Sequence, residues 1–165
     1  MNITLIGMAG AGKSTVGRAL AEKISFSFID VDDVLRENFQ KPLHLFIDEF
    51  GDEGFMIAEE RAIAALYNLE NTIISPGGSV IYSGRAMEHL KQISKVIFLD
   101  TPFEVIEKRV DLSTRGLVGM KGKTLQQLYE ERRPLYLKHA SIIIDVGSRE
   151  IDNLVKFITE RLKHL

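Results

Sequence analysis

The sequence of 165 residues contains no cysteine, no tryptophan and only four prolines. Without cysteine the chain has no disulfide, no thiolate zinc site and no cysteine nucleophile. No apolar run approaches the roughly 20 residues that a membrane-spanning helix needs, so we expect no contact with the membrane. No charged stretch followed by a cleavable apolar segment opens the sequence, and we therefore expect a cytoplasmic protein without a secretory signal.

Neither sign of charge dominates the chain, because 21 Lys and Arg are balanced by 23 Asp and Glu, a formal net charge of −2. This balance argues against nucleic-acid binding through a broad basic surface. The hydrophobic fraction of 45% is ordinary for a globular protein, so disorder is not expected. At roughly 150 residues per domain, the length predicts one domain. We assign it residues 1–165 and expect a monomer.

Short apolar segments alternate with helical patterns along the chain. Strands are predicted over residues 2–6, 26–30, 72–75, 95–99 and 141–145. Helices are predicted over residues 13–24, 34–38, 53–69, 124–138 and 149–165, and after a capping box of Thr101, Pro102 and Glu104. Brief strands that are apolar on both faces, separated by helices, predict an α/β fold with a five-stranded parallel sheet flanked by helices.

A glycine-rich segment from Gly7 to Ser14 matches G-x-x-x-x-G-K-[ST] and lies between a predicted strand and a predicted helix. Its backbone N–H groups and the helix dipole would cradle phosphate. Lys13 would reach the β- and γ-phosphates, and the Ser14 hydroxyl would ligate Mg²⁺. The pattern predicts binding of ATP or GTP, against the weaker alternative of an ordinary turn. The residues predicted to contact nucleotide here are Gly10, Ala11, Gly12, Lys13, Ser14 and Thr15.

Carboxylates follow the second predicted strand, at Asp30, Asp32 and Asp33. The carboxyl ends of strands are where open α/β sheets bind ligands. Asp30 could hold Mg²⁺ directly or through water, and Asp32 could orient a substrate hydroxyl or accept its proton. Alternatively, these residues cap the next helix, and Asp33 is the candidate for that role. Asp100 ends another predicted strand, and we interpret it as structural.

Residues 111–123 fit neither the strand nor the helix pattern and are rich in glycine and cations. A loop of this length inside a compact domain is usually functional. Its composition is typical of a lid that closes over an anion, although a solvated surface loop is the alternative.

Taken together, these motifs resemble the shikimate kinase family, within the nucleoside-monophosphate-kinase-like P-loop enzymes. The matching stretches are residues 7–18, 28–32, 51–55, 76–80, 115–117 and 131–136. The last of them reads E-R-R-P-L-Y, where the family has E-R-x-P-L-Y. The resemblance implies a P-loop kinase sandwich, an acceptor-binding segment at about residues 32–61 and a lid at about residues 111–123.

The resemblance also implies a reaction, the transfer of the ATP γ-phosphate to a ring hydroxyl of shikimate, with Mg²⁺ as cofactor. It implies that Asp32 binds substrate hydroxyls and helps to activate the nucleophile, while Asp30 supports Mg²⁺. Arg132 would grip the substrate carboxylate, which a planar guanidinium can bind bidentately. Arg115 would meet the transferring phosphate, and Arg109 would pack on the adenine. Catalysis would then depend on Lys13 together with Asp32 and Arg115.

The sequence departs from the family pattern where the acceptor binds. Met56 stands at the position of a second arginine that clamps the shikimate carboxylate, and Pro76 replaces the first glycine of G-G-G. Gly77 and Gly78 remain, and they would let backbone N–H groups approach the substrate. In the lid, Gly116 replaces the proline of R-P-L. Loss of one charge-assisted contact costs roughly 1.5–3 kcal/mol, so the departures put the acceptor's identity in question.

Alternatives therefore stay open beside shikimate. Another hydroxylated metabolite such as homoserine is one, and a non-catalytic nucleotide-binding regulatory protein is another. Arg61 and Arg85 lie in segments that could supply a replacement for the missing clamp. A GTPase is disfavoured because no N-K-x-D motif occurs, and the four histidines show no metal-ligand spacing.

Overall fold

A computed structural model describes residues 1–112 and 116–163. In this part of the chain, five parallel strands form one sheet in the order β2-β3-β1-β4-β5. The strands are β1 Ile3–Ile6, β2 Ser27–Asp30, β3 Thr72–Ser75, β4 Lys95–Asp100 and β5 Ile142–Asp145. Each agrees with its prediction to within one residue at either end, so the predicted parallel sheet is confirmed. The central strands are buried on both faces, which explains their uninterrupted apolar sequences.

Helices cover both faces of the sheet. They are α1 Lys13–Ile24, α2 Val31–Phe39, α3 Leu43–Ala64, α4 Gly84–Ile93, α5 Phe103–Arg109, α6 Leu125–His139 and α7 Ile151–Leu162. On one face, α1 and α7 pack together over side chains such as Leu5 and Ile97. On the other face, α3, α4 and α6 pack over side chains such as Ile74 and Phe98. No helix in the described ranges is long and apolar enough to cross a membrane.

Helix α2 begins earlier than predicted, at Val31, because Asp30 is its N-cap. The Asp30 carboxylate accepts a hydrogen bond from the backbone N–H of Asp32 at 3.0 Å. The prediction that Asp33 caps this helix is therefore wrong. Asp33 instead forms ion pairs with Arg18 at 2.9 Å and with Arg36 at 2.6 Å. Three closely spaced aspartates all satisfy the capping pattern, and only the backbone path selects among them.

The predicted capping box at the start of α5 is also wrong. The N-cap of α5 is Pro102, and no side chain caps the helix. Thr101 is buried, and its hydroxyl donates to the Ala11 carbonyl at 3.3 Å, which joins the end of β4 to the glycine-rich loop. A capping box does occur at the start of α6, between Thr124 and Gln127.

Helix α3 begins well before the predicted residue 53, at Leu43, and ends at Ala64 rather than 69. Gly51 interrupts it with φ 73° and ψ 177°, so two helical segments meet at a kink. Helix α4, which Ser83 caps by accepting from the Ala86 N–H at 3.1 Å, was not predicted from the sequence.

Candidate functional site

A cleft of about 800 Å³ opens at the carboxyl ends of the central strands. It lies beside β1, where the order of the strands in the sheet reverses. From β1 the chain continues to β2 and β3 on one side of the sheet and to β4 and β5 on the other. Such switch points are where open α/β sheets bind ligands. The sequence-predicted residues that line the cleft are Gly10, Ala11, Gly12, Lys13, Ser14, Thr15, Asp30, Asp32, Gly77, Gly78, Arg109 and Arg132. Arg115 lies outside the described residues.

The glycine-rich loop turns directly into helix α1 at one end of the cleft. Gly12 is the N-cap of that helix with φ 91°, a left-handed conformation that side chains other than glycine strain to adopt. The Lys13 ammonium donates to the carbonyls of Gly7 at 2.9 Å and Met8 at 3.1 Å, which holds it against the loop. Arg109 donates to the Gly10 carbonyl at 3.2 Å and lies at the outer rim. The result is a cationic, N–H-rich cradle that suits polyphosphate.

Oxygen ligands suited to Mg²⁺ lie beside this cradle. The Ser14 hydroxyl donates to one Asp30 carboxylate oxygen at 2.6 Å, and the other oxygen of Asp30 caps α2. Hydroxyl and carboxylate oxygens are the hard ligands that Mg²⁺ prefers. In the described ranges, no group of three or more His, Asp or Glu side chains could hold a metal alone. The donor set therefore fits an ion that completes its shell with water and phosphate oxygens.

Glu59, on α3, is a site residue that the sequence analysis missed. Its side chain is 2% exposed, and its carboxylate accepts from the Gly77 N–H at 2.9 Å and from the Ser79 hydroxyl at 3.1 Å. Burial raises the pKa of Glu59 to about 7, with a further increase from the nearby charge of Asp32. A glutamate on the otherwise apolar face of Phe55, Ala58 and Ala62 was a signal that it must have buried partners.

Close approaches explain why Gly77 and Gly78 carry no side chain. A Cβ atom on Gly77 would lie 2.5 Å from a Glu59 carboxylate oxygen and 3.3 Å from an Asp32 oxygen. A Cβ atom on Gly78 would lie 3.0 Å from Nη1 of Arg132 and 3.3 Å from the backbone nitrogen of Ala9. The two glycines therefore bring Asp32, Arg132 and the phosphate cradle close to one short stretch of backbone.

Arg132 on α6 forms the other end of the cleft. Its side chain is 1% exposed, so Arg132 is not a surface arginine. Its Nε donates to the Tyr82 hydroxyl at 3.4 Å, and its Nη2 donates to the Val118 carbonyl at 2.5 Å. Val118 belongs to the predicted lid, so the lid and the acceptor end share this arginine. Neither Tyr82 nor Val118 carried a signal in the sequence.

The second arginine of the family pattern has no replacement among the described side chains that were expected to supply one. Met56 packs against the hydrophobic core instead of lining the cleft, whose wall here includes Phe55. Arg61 and Arg85 also do not line it in the described structure. Arg61 is exposed, and the Arg85 side chain is 90% exposed and lies 3.9 Å from Glu60. The expectation that either residue restores the clamp is therefore not supported.

Asp100 has the structural role that was expected of it. Arg133 binds its carboxylate through two hydrogen bonds, from Nε at 2.9 Å and from Nη2 at 2.7 Å. This bidentate pair joins α6 to the end of β4. Asp100 does not line the cleft in the described chain, so it is not placed as a second metal carboxylate.

Comparison with known proteins identifies close similarity over almost the whole chain. The family model for shikimate kinase matches residues 9–163. A shikimate kinase of Francisella tularensis subsp. novicida is 33% identical over 162 residues, covering 96% of this chain and 92% of the relative. One from Oceanobacillus iheyensis is 30% identical over 165 residues, covering 98% and 90%. The structure of Acinetobacter baumannii shikimate kinase in complex with shikimate has a TM-score of 0.91 at 29% identity, covering 99% of this chain and 93% of that one.

Proposed function

Because the chain belongs to the shikimate kinase family, a family of ATP-dependent kinases, we propose that it transfers the γ-phosphate of ATP to a hydroxyl of shikimate. The observation that carries the proposal is a continuous cleft with a phosphate cradle at one end and the buried Arg132 at the other. Gly77 and Gly78 connect the two ends, because Gly77 approaches Asp32 while Gly78 approaches Arg132 and the backbone of Ala9. A hydroxylated carboxylic acid fits this order of groups, because its carboxylate would meet Arg132 and its hydroxyl would meet Asp32.

We assign a role to each of the site residues. Lys13 neutralises the charge that builds on the phosphates, since phosphoryl transfer relies mainly on positioning and charge stabilisation. Asp32 orients the acceptor hydroxyl and accepts its proton. Arg132 binds the acceptor carboxylate through a guanidinium that burial has already desolvated. Arg109 packs on the adenine, and Arg115, outside the described residues, meets the transferring phosphate.

Ser14 and Asp30 would hold Mg²⁺, which supplies charge neutralisation between the phosphate oxygens when it is bound. The hydrogen bond between the two side chains already places their oxygens 2.6 Å apart. The capping bond to α2 fixes the orientation of the Asp30 carboxylate. These two residues thus present a preformed pair of oxygens next to Lys13.

Residues 111–123 act as the lid in this proposal. The Gly119 N–H donates to the Asp52 carboxylate at 2.8 Å, and the Val118 carbonyl accepts from Arg132. At Gly116 an added Cβ would lie 3.1 Å from Ile47 on α3. These contacts support a lid that closes over the acceptor-binding segment and excludes water from the transfer. We also propose that the enzyme is a cytoplasmic monomer.

An acceptor panel tests the proposed function. ADP release would be measured with Mg²⁺-ATP and shikimate, homoserine, threonine, gluconate or nucleoside monophosphates, with Lys13→Ala as the inactive control. We expect efficient, saturable turnover with shikimate. Turnover with homoserine alone would assign the retained phosphate machinery to a different acceptor. Tight ATP binding without turnover of any acceptor would instead support a regulatory role.

A further inference from the structure

Tyr82 lies against Arg132 at the acceptor end of the cleft, directly after the stretch that contains Gly77 and Gly78. The guanidinium carbon of Arg132 is 5.3 Å from the centroid of the Tyr82 ring, within the range of a cation–π contact. The Arg132 Nε also donates to the Tyr82 hydroxyl at 3.4 Å. One tyrosine therefore contacts the arginine through both its ring and its hydroxyl.

A carboxylate orients the Tyr82 hydroxyl. That hydroxyl donates its single hydrogen to Glu131 at 2.7 Å, and Glu131 also forms an ion pair with Lys123 at the end of the lid. Because the hydrogen points to Glu131, the lone pairs of the oxygen remain for Arg132. Burial, followed by the bond to Glu131, raises the pKa of Tyr82, so the hydroxyl stays protonated at neutral pH. The hydrogen bond from Lys123 lowers the pKa of Glu131 and keeps that acceptor ionised.

These contacts determine which edge of the guanidinium is left for a ligand. Nε is used by Tyr82, and Nη2 donates to the Val118 carbonyl. Nη1 lies on the side of Gly78, where an added Cβ would be 3.0 Å away from it and 3.2 Å from the Tyr136 hydroxyl. That hydroxyl donates to the Gly78 carbonyl and is itself a hydrogen-bond partner of Arg132. Rotation of the guanidinium would break both the Tyr82 and the Val118 contacts, so the pair holds Nη1 toward the cleft.

We propose that Tyr82 is a positioning residue, which holds the guanidinium of Arg132 so that its Nη1 edge meets the acceptor carboxylate. The inference rests on the proposed function, because it assumes a carboxylate acceptor. Tyr82 matters in this chain because Met56 supplies no second guanidinium to share the carboxylate. Arg36 also lines the cleft, but it is held in an ion pair with Asp33. Binding of the carboxylate therefore depends strongly on the orientation of Arg132.

The test compares Tyr82→Phe, which keeps the ring, with Tyr82→Leu, which removes ring and hydroxyl. Loss of one hydrogen bond predicts a roughly fivefold higher KM for shikimate in Tyr82→Phe. Loss of the ring contact as well predicts a roughly 20- to 30-fold increase in Tyr82→Leu. The KM for ATP should not change in either variant. Tyr67→Phe is the matched control, because Tyr67 is 69% exposed and should leave both constants unaltered.

A second readout does not depend on any acceptor. The Nε–H signal of Arg132 in a nitrogen–proton NMR spectrum would be assigned by its loss in Arg132→Lys. We expect faster hydrogen exchange and a shifted signal in Tyr82→Phe, but not in Tyr67→Phe. An unchanged Arg132 signal would overturn the positioning role even if the enzyme did not use shikimate. Absence of wild-type turnover with shikimate, by contrast, would overturn the proposed function alone.

The methyl ester of shikimate provides the last arm of the test. Because the ester carries no charge for Arg132 to bind, the ratio of KM values between Tyr82→Phe and wild type should fall close to one. A ratio as large as that for shikimate would show that Tyr82 acts on the shape of the cleft and not through Arg132. Unchanged KM values for shikimate in both Tyr82 variants would equally contradict the inference.

Discussion

The two ends of the cleft are built in different ways. At the phosphate end, one contiguous segment from Ala9 to Val16 supplies most of the lining, with Asp30 from the next strand. At the acceptor end, the lining comes from α3, the end of β3, the lid and α6, which are far apart in sequence. The phosphate end is therefore a local property of the chain, while the acceptor end exists only after folding.

This difference shows where the chain can change its chemistry. The two departures from the family pattern, Met56 and Pro76, concern the acceptor end. At the phosphate end, Lys13, Ser14 and Asp30 match the pattern and form hydrogen bonds with neighbouring groups. Proline has no N–H to offer a substrate, and methionine carries no charge. Acceptor binding can thus be weakened or retuned without disturbing the groups that handle ATP. Substitutions at one end should accordingly leave the other end unchanged.

The largest effect is expected for Lys13→Ala at the phosphate end. Loss of the ammonium should lower kcat at least about 10³-fold, because it removes charge stabilisation in the transition state. Direct titration should show that the affinity for shikimate is retained. Lys23→Ala on the same helix is the control, with expected wild-type rates. A large loss of shikimate affinity in Lys13→Ala would contradict the separation of the two ends.

Asp32→Asn affects the point where the two ends meet. We expect kcat to fall roughly 10²- to 10⁴-fold through loss of the proton acceptor. ATP affinity, measured by calorimetry, should stay close to that of the wild type. An Asp32→Asn enzyme with full activity would show that another group activates the nucleophile, and Glu59 would be the nearest candidate.

Arg132→Lys at the acceptor end should have a smaller effect that is confined to the acceptor. Loss of the planar guanidinium predicts shikimate binding that is weaker by roughly 10- to 150-fold. The KM for ATP should remain unchanged. Arg133→Lys serves as the neighbouring control, because Arg133 binds Asp100 and does not line the cleft in the described chain. Equal losses in both variants would indicate damage to α6 and not loss of a ligand contact.

The smallest effect concerns stability and involves Glu59. Its pKa is raised from 4.5 to about 7, so the folded state binds its proton more tightly than the unfolded state. The stability from this group is fully present below about pH 4.5 and is lost as the pH rises toward 7. Between pH 4.5 and 7, the unfolding free energy of Glu59→Gln should therefore decrease less than that of the wild type, by about 1–2 kcal/mol. Urea denaturation at several pH values measures the unfolding free energy of both proteins. If wild type and Glu59→Gln depended on pH in the same way, the raised pKa of Glu59 would be refuted.

The contrast between local features and features that form only on folding also explains what the sequence could predict. Strands such as β1 and β3 were located correctly because burial on both faces leaves an unbroken apolar run. The phosphate loop was found because its function needs a fixed local spacing. Helix α4 was not predicted from the sequence. Helix α3 was predicted with the wrong ends, because the kink at Gly51 interrupts the helical period of its sequence.

At the acceptor end, the sequence identified Arg132 only through the resemblance to a family. Its burial depends on Tyr82, Val118 and Gly78, which approach it from three different segments. Glu59 was missed for a similar reason, since its partners Gly77 and Ser79 lie on the far side of a loop and a strand. The apolar face around Glu59 signals that this residue is buried, but no local pattern identifies the partners of Glu59 or Arg132, because only the fold brings them together.

The most direct test of the account is the rate of Mg²⁺-ATP-dependent phosphorylation of shikimate by the wild-type chain, followed by detection of the phosphorylated product. We expect saturable formation of a phosphate ester of shikimate at the same rate as ADP release. We also expect that Arg132→Lys raises the KM for shikimate while the KM for ATP stays fixed. ADP release that does not increase when shikimate is added, by an enzyme that binds ATP normally, would contradict it.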